Sequence, residues 1–192
     1  MPAQVATVWA RWHKEITADL FAVVLGGPAA VESLMDVVGR SRPSTIRFAA
    51  AGVHPTPVLR LPINLVLLRR LGFARMADDL GAAWKRLYPR VTPHDVPESL
   101  LSTFDRAAEL TVDVIAFTPH RQLAGKSLAQ LVEFGPGQQT LVDQAAALLA
   151  SGQDVGTVPP RLMISAARRA LDLRLATPQA ITDSFYRSLG RR

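Results

Sequence analysis

The sequence of 192 residues contains no cysteine. This absence excludes disulfides and thiolate metal sites, and it fits a reducing compartment such as the cytoplasm. No stretch reaches the roughly 18 apolar residues that a membrane-spanning helix needs. The N-terminus lacks the charged start followed by a long apolar run that marks a signal peptide. We therefore expect a cytoplasmic protein without a membrane span.

Alternation of apolar and polar residues, which would predict β-strands, is also missing. Apolar residues instead recur at spacings of three and four, and glycines and prolines divide the chain into helical segments. The sequence predicts an all-α fold, an irregular multi-helix bundle of about eight or nine helices. The predicted helices span residues 5–25, 28–38, 57–70, 74–87, 97–117, 126–134, 138–150, 161–175 and 178–189.

A possible domain boundary lies at residues 88–97, where Pro89, Pro93 and Pro97 form the strongest linker signal of the chain. The prediction is a first part, residues 1–90, that holds the chemical motifs, and a helical extension with a basic C-terminus, residues 91–192. One continuous domain is the alternative, because 48% hydrophobic residues can build a single core at this length.

Lysine is scarce, so the net charge of +6 is carried mostly by arginine. One hypothesis is a non-enzymatic helical interaction module, which binds an acidic protein partner through its arginine-rich C-terminal helices. Nucleic acid is not the expected partner, because no nucleic-acid-binding motif is present. The arginines concerned are Arg161, Arg168, Arg169, Arg174, Arg187, Arg191 and Arg192.

Two acidic residues of the first predicted helix, Glu15 and Asp19, are four positions apart and therefore share one face. They lie beside the apolar stripe that includes Trp12 and Ile16. A carboxylate in such a position is costly unless it is paired, hydrogen-bonded or bound to a metal. The sequence leaves open a chemical role and a structural one, in which both acids pair with nearby cations or with an arginine from another helix.

A second motif places His54 in a loop just ahead of the helix that Pro57 opens, with Arg60 in the first turns of that helix. An imidazole can transfer a proton, and a guanidinium can stabilise developing negative charge. The alternative is structural, with His54 bonded to a backbone carbonyl and Arg60 capping carbonyl groups.

Glu15-x3-Asp19, followed by His54-Pro55-x4-Arg60 and an apolar helix, resembles the C-terminal part of HtpX-like zinc metallopeptidases, which are gluzincins. The resemblance covers roughly residues 9–72. It implies that Glu15 is the third zinc ligand and that Asp19 supports it as a hydrogen-bonding partner. It also implies that His54 and Arg60 stabilise the tetrahedral intermediate of peptide hydrolysis.

The H-E-x-x-H motif of those enzymes, which supplies two zinc ligands and the general base, does not occur in this sequence. Only fourteen residues precede Glu15, too few for that helix and its connection. We therefore expect a metallopeptidase-related protein that is catalytically incomplete as this chain, either a fragment or a remnant. Zinc would be bound only with ligands from outside the chain, supplied by an upstream segment or a partner chain.

Overall fold

The computed structural model describes residues 2–190 and is 71% helical, with eleven α-helices and no strand in that range. Eight of the helices have seven or more residues, so the all-α prediction is confirmed. The helices are α1 (Ala3–Gly26), α2 (Pro28–Val38), α3 (Arg42–Ile46), α4 (Pro57–Arg70), α5 (Ala74–Leu87), α6 (Glu98–Leu101), α7 (Phe104–Val112), α8 (Leu128–Val132), α9 (Pro136–Ala150), α10 (Pro160–Asp172) and α11 (Pro178–Leu189).

Helix α1 buries the apolar stripe seen in the sequence. Trp12, Ile16 and Leu20 are at most 1% exposed and pack into a core that also includes Leu61 of α4 and Met163 of α10. Helix α1 contacts α2, α4, α8 and α10, which fix its position in the fold. Its polar edge carries Glu15 and Asp19.

The turn between α1 and α2 depends on a glycine. Gly27 has φ = +60° and ψ = −140°, a conformation that residues with a Cβ atom rarely adopt. A Cβ atom at this position would also lie 2.1 Å from the ring of Phe134. Pro28 then begins α2 with its fixed φ angle, as the sequence predicts.

Residues on both sides of the predicted linker share one hydrophobic core. Residues 89–97 contain no helix, but Val96 is fully buried, and α10 packs on α1 and α2. Arg161 of α10 donates to the carbonyl of Leu25 at 3.1 Å, and Arg168 pairs with Asp36. The division into residues 1–90 and 91–192 stays a prediction, which limited proteolysis can test.

The helix predicted for residues 97–117 is not continuous. It is divided into α6, α7 and a π-helix at Asp113–Phe117. The first break is at Thr103, whose backbone has φ = −106° and ψ = −2°, away from the values of a regular α-helix.

Other predicted boundaries hold within a few residues. The segment 126–134 contains α8, whose start has a capping box between Ser127 and Gln130. Thr177 caps α11 by accepting from the amide of Ala180. Within residues 2–190, every helix is too short or too polar to cross a bilayer.

Candidate functional site

The four side chains singled out in the sequence meet at one place. Glu15 and Asp19 are one turn apart on α1, and Arg60 reaches them from α4. His54, from the loop between α3 and α4, joins the group from the side of Glu15. We call Glu15, Asp19, Arg60 and His54 the acid–base cluster.

Arg60 holds the two acids together. Its Nε and Nη2 atoms donate to the two carboxylate oxygens of Asp19, both at 2.7 Å, in a bidentate pair. Nη2 also donates to Oε2 of Glu15 at 3.3 Å. One guanidinium therefore bridges both carboxylates, which sets the spacing between them.

His54 contacts the same oxygen of Glu15 from the solvent side. Its Nδ1 lies 3.2 Å from Oε2 of Glu15, a distance at which Nδ1–H donates to the carboxylate. This arrangement leaves Nε2 of His54 as the ring nitrogen that can exchange a proton with a bound molecule. A carboxylate that orients an imidazole is a common arrangement for general acid–base chemistry.

Exposure decreases steadily across the cluster. The exposed fraction is 65% for the His54 side chain, 32% for Glu15, 17% for Arg60 and 9% for Asp19. The hydrogen bonds from Arg60 to Asp19 raise the pKa of Arg60, and the charges of Asp19 and Glu15 add to this, while burial acts in the opposite direction. Asp19 and Arg60 thus form the fixed base of the cluster, and His54 is its accessible end.

The described residues do not fit a complete zinc site. Zinc in a peptidase needs three protein ligands and one open position. Within residues 2–190, no group of three or more His, Cys, Asp or Glu side chains is placed to hold a metal ion. The nearest additional group to Glu15 and His54 is the Arg60 cation. The cluster by itself is therefore not a metal cage, and its one permanent cation, Arg60, is bonded to both carboxylates.

The structure also shows which of the structural roles predicted for these residues occur. Both acids pair with an arginine from another helix, which is one of the two predicted arrangements. Arg11, a candidate partner on α1, donates instead to the carbonyl of Ala50. His54 faces a carboxylate and not a backbone carbonyl.

One residue that supports the cluster was not recognised in the sequence. Asn64 is 1% exposed, and its Nδ2 donates to the carbonyl of Arg60 at 2.9 Å. Its Oδ1 is buried and has no hydrogen-bond partner among the described residues. A polar residue inside the apolar pattern of α4, four positions after Arg60, is the signal that could have identified it.

The basic C-terminal region is largely engaged inside the fold. Arg168 pairs with Asp36 and Asp172, and Arg169 pairs with Asp143. Arg161 donates to backbone carbonyls of α1 and α8. Arg174 and Arg187 are exposed, whereas Arg191 and Arg192 lie outside the described residues.

Comparisons of this chain with protein-family models, with curated proteins and with solved structures found no match.

Proposed function

We propose that this chain is a metallopeptidase-related helical protein that carries one half of a peptidase site and is catalytically incomplete by itself. The observation that carries the proposal is the convergence of four residues from two motifs about 40 positions apart on a single cluster. Arg60 and His54 both contact the same oxygen of Glu15. A structural ion pair between Arg60 and Asp19 alone would not require this second acid or the exposed imidazole.

In this proposal each residue has a separate role. Glu15 is the carboxylate that becomes a metal ligand once a segment with H-E-x-x-H is added. Asp19 holds Arg60 and thereby positions it. Arg60, and His54 in its imidazolium form, supply the hydrogen-bond donors for negative charge that develops on a peptide carbonyl.

The contacts of Glu15 agree with that role. The contacts from Arg60 and His54 both reach Oε2, and no hydrogen bond within residues 2–190 reaches Oε1. With about a third of its side chain exposed, Glu15 remains accessible from outside the chain. The missing segment would be an upstream extension or a separate partner chain, and a cytoplasmic location agrees with the absence of cysteine.

The test measures zinc in the chain alone and in its complex. The isolated chain, dialysed against zinc and then against buffer, is expected to hold well under one equivalent by elemental analysis. Co-expression with segments encoded next to it that contain H-E-x-x-H is expected to yield a complex that retains zinc and hydrolyses a fluorogenic peptide. Glu15→Gln should lower the zinc content of this complex, whereas Glu98→Gln on the exposed start of α6 should not.

Two results would contradict the proposal. Stoichiometric zinc in the isolated chain would show that the site is complete without further ligands. A zinc-loaded complex whose zinc content and activity are unchanged by Glu15→Gln would show that the cluster is not part of the metal site.

The second candidate is a non-enzymatic interaction module that binds an acidic protein through its C-terminal helices. The exposed side chains of Arg174 and Arg187 favour it. It has less support, because Arg161, Arg168 and Arg169 are already bonded within the chain. A partner affinity that decreases steeply with salt, and that decreases further in Arg174→Gln with Arg187→Gln, would support this alternative.

A further inference from the structure

A pocket of about 340 Å³ lies between the N-terminal half of α1, the loop before α4 and helix α6. Its walls are mostly apolar and include Val5 and Val8 of α1, Phe48 of the loop and Leu100 of α6. Among the described residues that line it, Arg11 is the one that carries a charge. The pocket therefore combines an apolar interior with a single cation.

Arg11 is held in place but keeps most of its donors. Its Nη1 donates to the carbonyl of Ala50 at 2.5 Å, and both residues line the pocket. A guanidinium has five N–H donors in a planar fork that matches the two oxygens of a carboxylate. Within residues 2–190, no acidic side chain forms a salt bridge with Arg11. An anion with two coplanar oxygens is the ligand group that this geometry favours.

The pocket and the acid–base cluster use different residues of the same two segments, α1 and the loop before α4. Arg11 and Glu15 are four residues apart on α1, a rise of about 6 Å along one face of the helix. Ala50 and His54 belong to the same loop. Within α1 the lining of the pocket ends at Arg11, one helical turn before Glu15.

We propose that this pocket binds an apolar group that carries a carboxylate, as in the apolar C-terminal residue of a peptide. The apolar group packs between α1 and Phe48, and the carboxylate accepts hydrogen bonds from Arg11. The assignment to a peptide rests on the proposed function, because it makes the pocket a subsite of the peptidase half-site. The preference for an apolar carboxylate rests on the pocket alone.

The binding test uses the full chain, labelled with ¹⁵N, and follows its backbone amides by NMR. The probes are N-acetyl-L-phenylalanine, its amide N-acetyl-L-phenylalaninamide, and 3-phenylpropanoate. N-acetyl-L-phenylalanine is expected to shift the backbone amide signals of Val8 and Ala50. It is expected to bind about fivefold more tightly than N-acetyl-L-phenylalaninamide, which is the upper range for an exposed ion pair. N-acetyl-L-phenylalanine is expected to bind more tightly than 3-phenylpropanoate if the peptide bond is recognised.

Three variants separate the contributions. Arg11→Met keeps an apolar stem and should bind acid and amide equally. Val8→Phe fills the pocket and should weaken both ligands, with thermal melting used to verify that the variant is folded. Arg75→Met removes an exposed arginine of α5 and should leave all affinities unchanged.

The outcomes are distinct from those of the zinc experiment, because no metal and no hydrolysis is measured. Absence of saturable shifts up to about 10 mM acid, or an acid preference that survives Arg11→Met, would overturn the proposed pocket ligand. Equal affinity for N-acetyl-L-phenylalanine and 3-phenylpropanoate would keep the apolar carboxylate but overturn its assignment to a peptide. If the carboxylate binds but the zinc test fails, the peptidase proposal is refuted and the proposed pocket ligand stands.

Discussion

The indole Nε1 of Trp84 donates to the backbone carbonyl of Val58 at 3.1 Å. That carbonyl is the one that Pro62 cannot bond, because proline lacks the amide hydrogen that would pair four residues back in α4. A side chain from α5 thus replaces the missing helical hydrogen bond. This contact offsets the effect of a proline inside α4, the helix that carries Arg60, and it links α5 to α4.

A double-mutant cycle can measure this replacement. Trp84→Phe leaves the Val58 carbonyl buried without a donor, which should cost about 1–3 kcal/mol in addition to lost packing. Pro62→Ala restores an amide at the required position. In that background we expect Trp84→Phe to cost about 1 kcal/mol less, measured by urea unfolding. Equal costs in both backgrounds would show that the indole does not serve the proline-freed carbonyl.

The Arg60–Asp19 pair should contribute more to stability than an exposed pair of the same chemistry. Asp19→Asn removes the charge opposite a largely buried guanidinium and should lower the free energy of unfolding by about 3 kcal/mol. The control is Asp78→Asn, which breaks the exposed pair with Arg69 and should cost less than about 1 kcal/mol. Similar costs for the two variants would contradict a special role of burial at the cluster.

Glu32 should make stability depend on pH. Burial raises its pKa from 4.5 to about 7, and the neighbouring Asp172 carboxylate adds to the increase, against the opposing charges of Arg169 and Arg168. The folded state therefore binds the proton more tightly than the unfolded state. The stabilisation from this proton is complete below pH 4.5 and is lost as the pH increases through 7.

Replacing Glu32 by its neutral isostere should remove this effect. Glu32→Gln is expected to stabilise the protein by about 2 kcal/mol at pH 8 and to change little at pH 4.5. Thermal melts at both pH values check this, with Glu98→Gln, an exposed position, as the matched control. A pH profile of Glu32→Gln that is parallel to that of the unmodified chain would refute the assignment.

The turn between α1 and α2 should not tolerate a Cβ atom. Gly27→Ala combines an unfavourable φ angle with a clash against Phe134 and should cost about 3 kcal/mol or more. Gly137→Ala, within α9, meets nothing within 4 Å and should stabilise by about 0.5–1 kcal/mol. The two melting temperatures should therefore shift in opposite directions.

Much of the helical pattern could be predicted because it is local. Proline at the first turn of α2, α4 and α11 and glycine after α1 act on the backbone of their own neighbours, and the predicted starts agree with the structure. The prediction of one continuous helix over 97–117 was wrong at Thr103. The apolar spacing is helical throughout and does not signal the local change in backbone angles, φ = −106° and ψ = −2°, that separates α6 from α7.

The candidate site was likewise predicted only in part. The shared face of Glu15 and Asp19 follows from a helical repeat of 3.6 residues, so these two positions were available from the sequence. The partner of these two acids could not be identified from the sequence, because Arg11, Lys14 and arginines of other helices could all pair with them. The structure selects Arg60 for both acids and gives Arg11 to a loop carbonyl.

By itself, the sequence determined the all-α class, most helix limits and the four residues of the cluster, because these depend on backbone preferences and on periodicity within short segments. Only the tertiary structure decided that His54 and Arg60 meet on one oxygen of Glu15, that Trp84 supplies the bond missing at Pro62, and that Arg11 closes an apolar pocket. These contacts join residues 26 to 45 positions apart or lie between separate helices. They depend on how the helices pack, which no local pattern specifies.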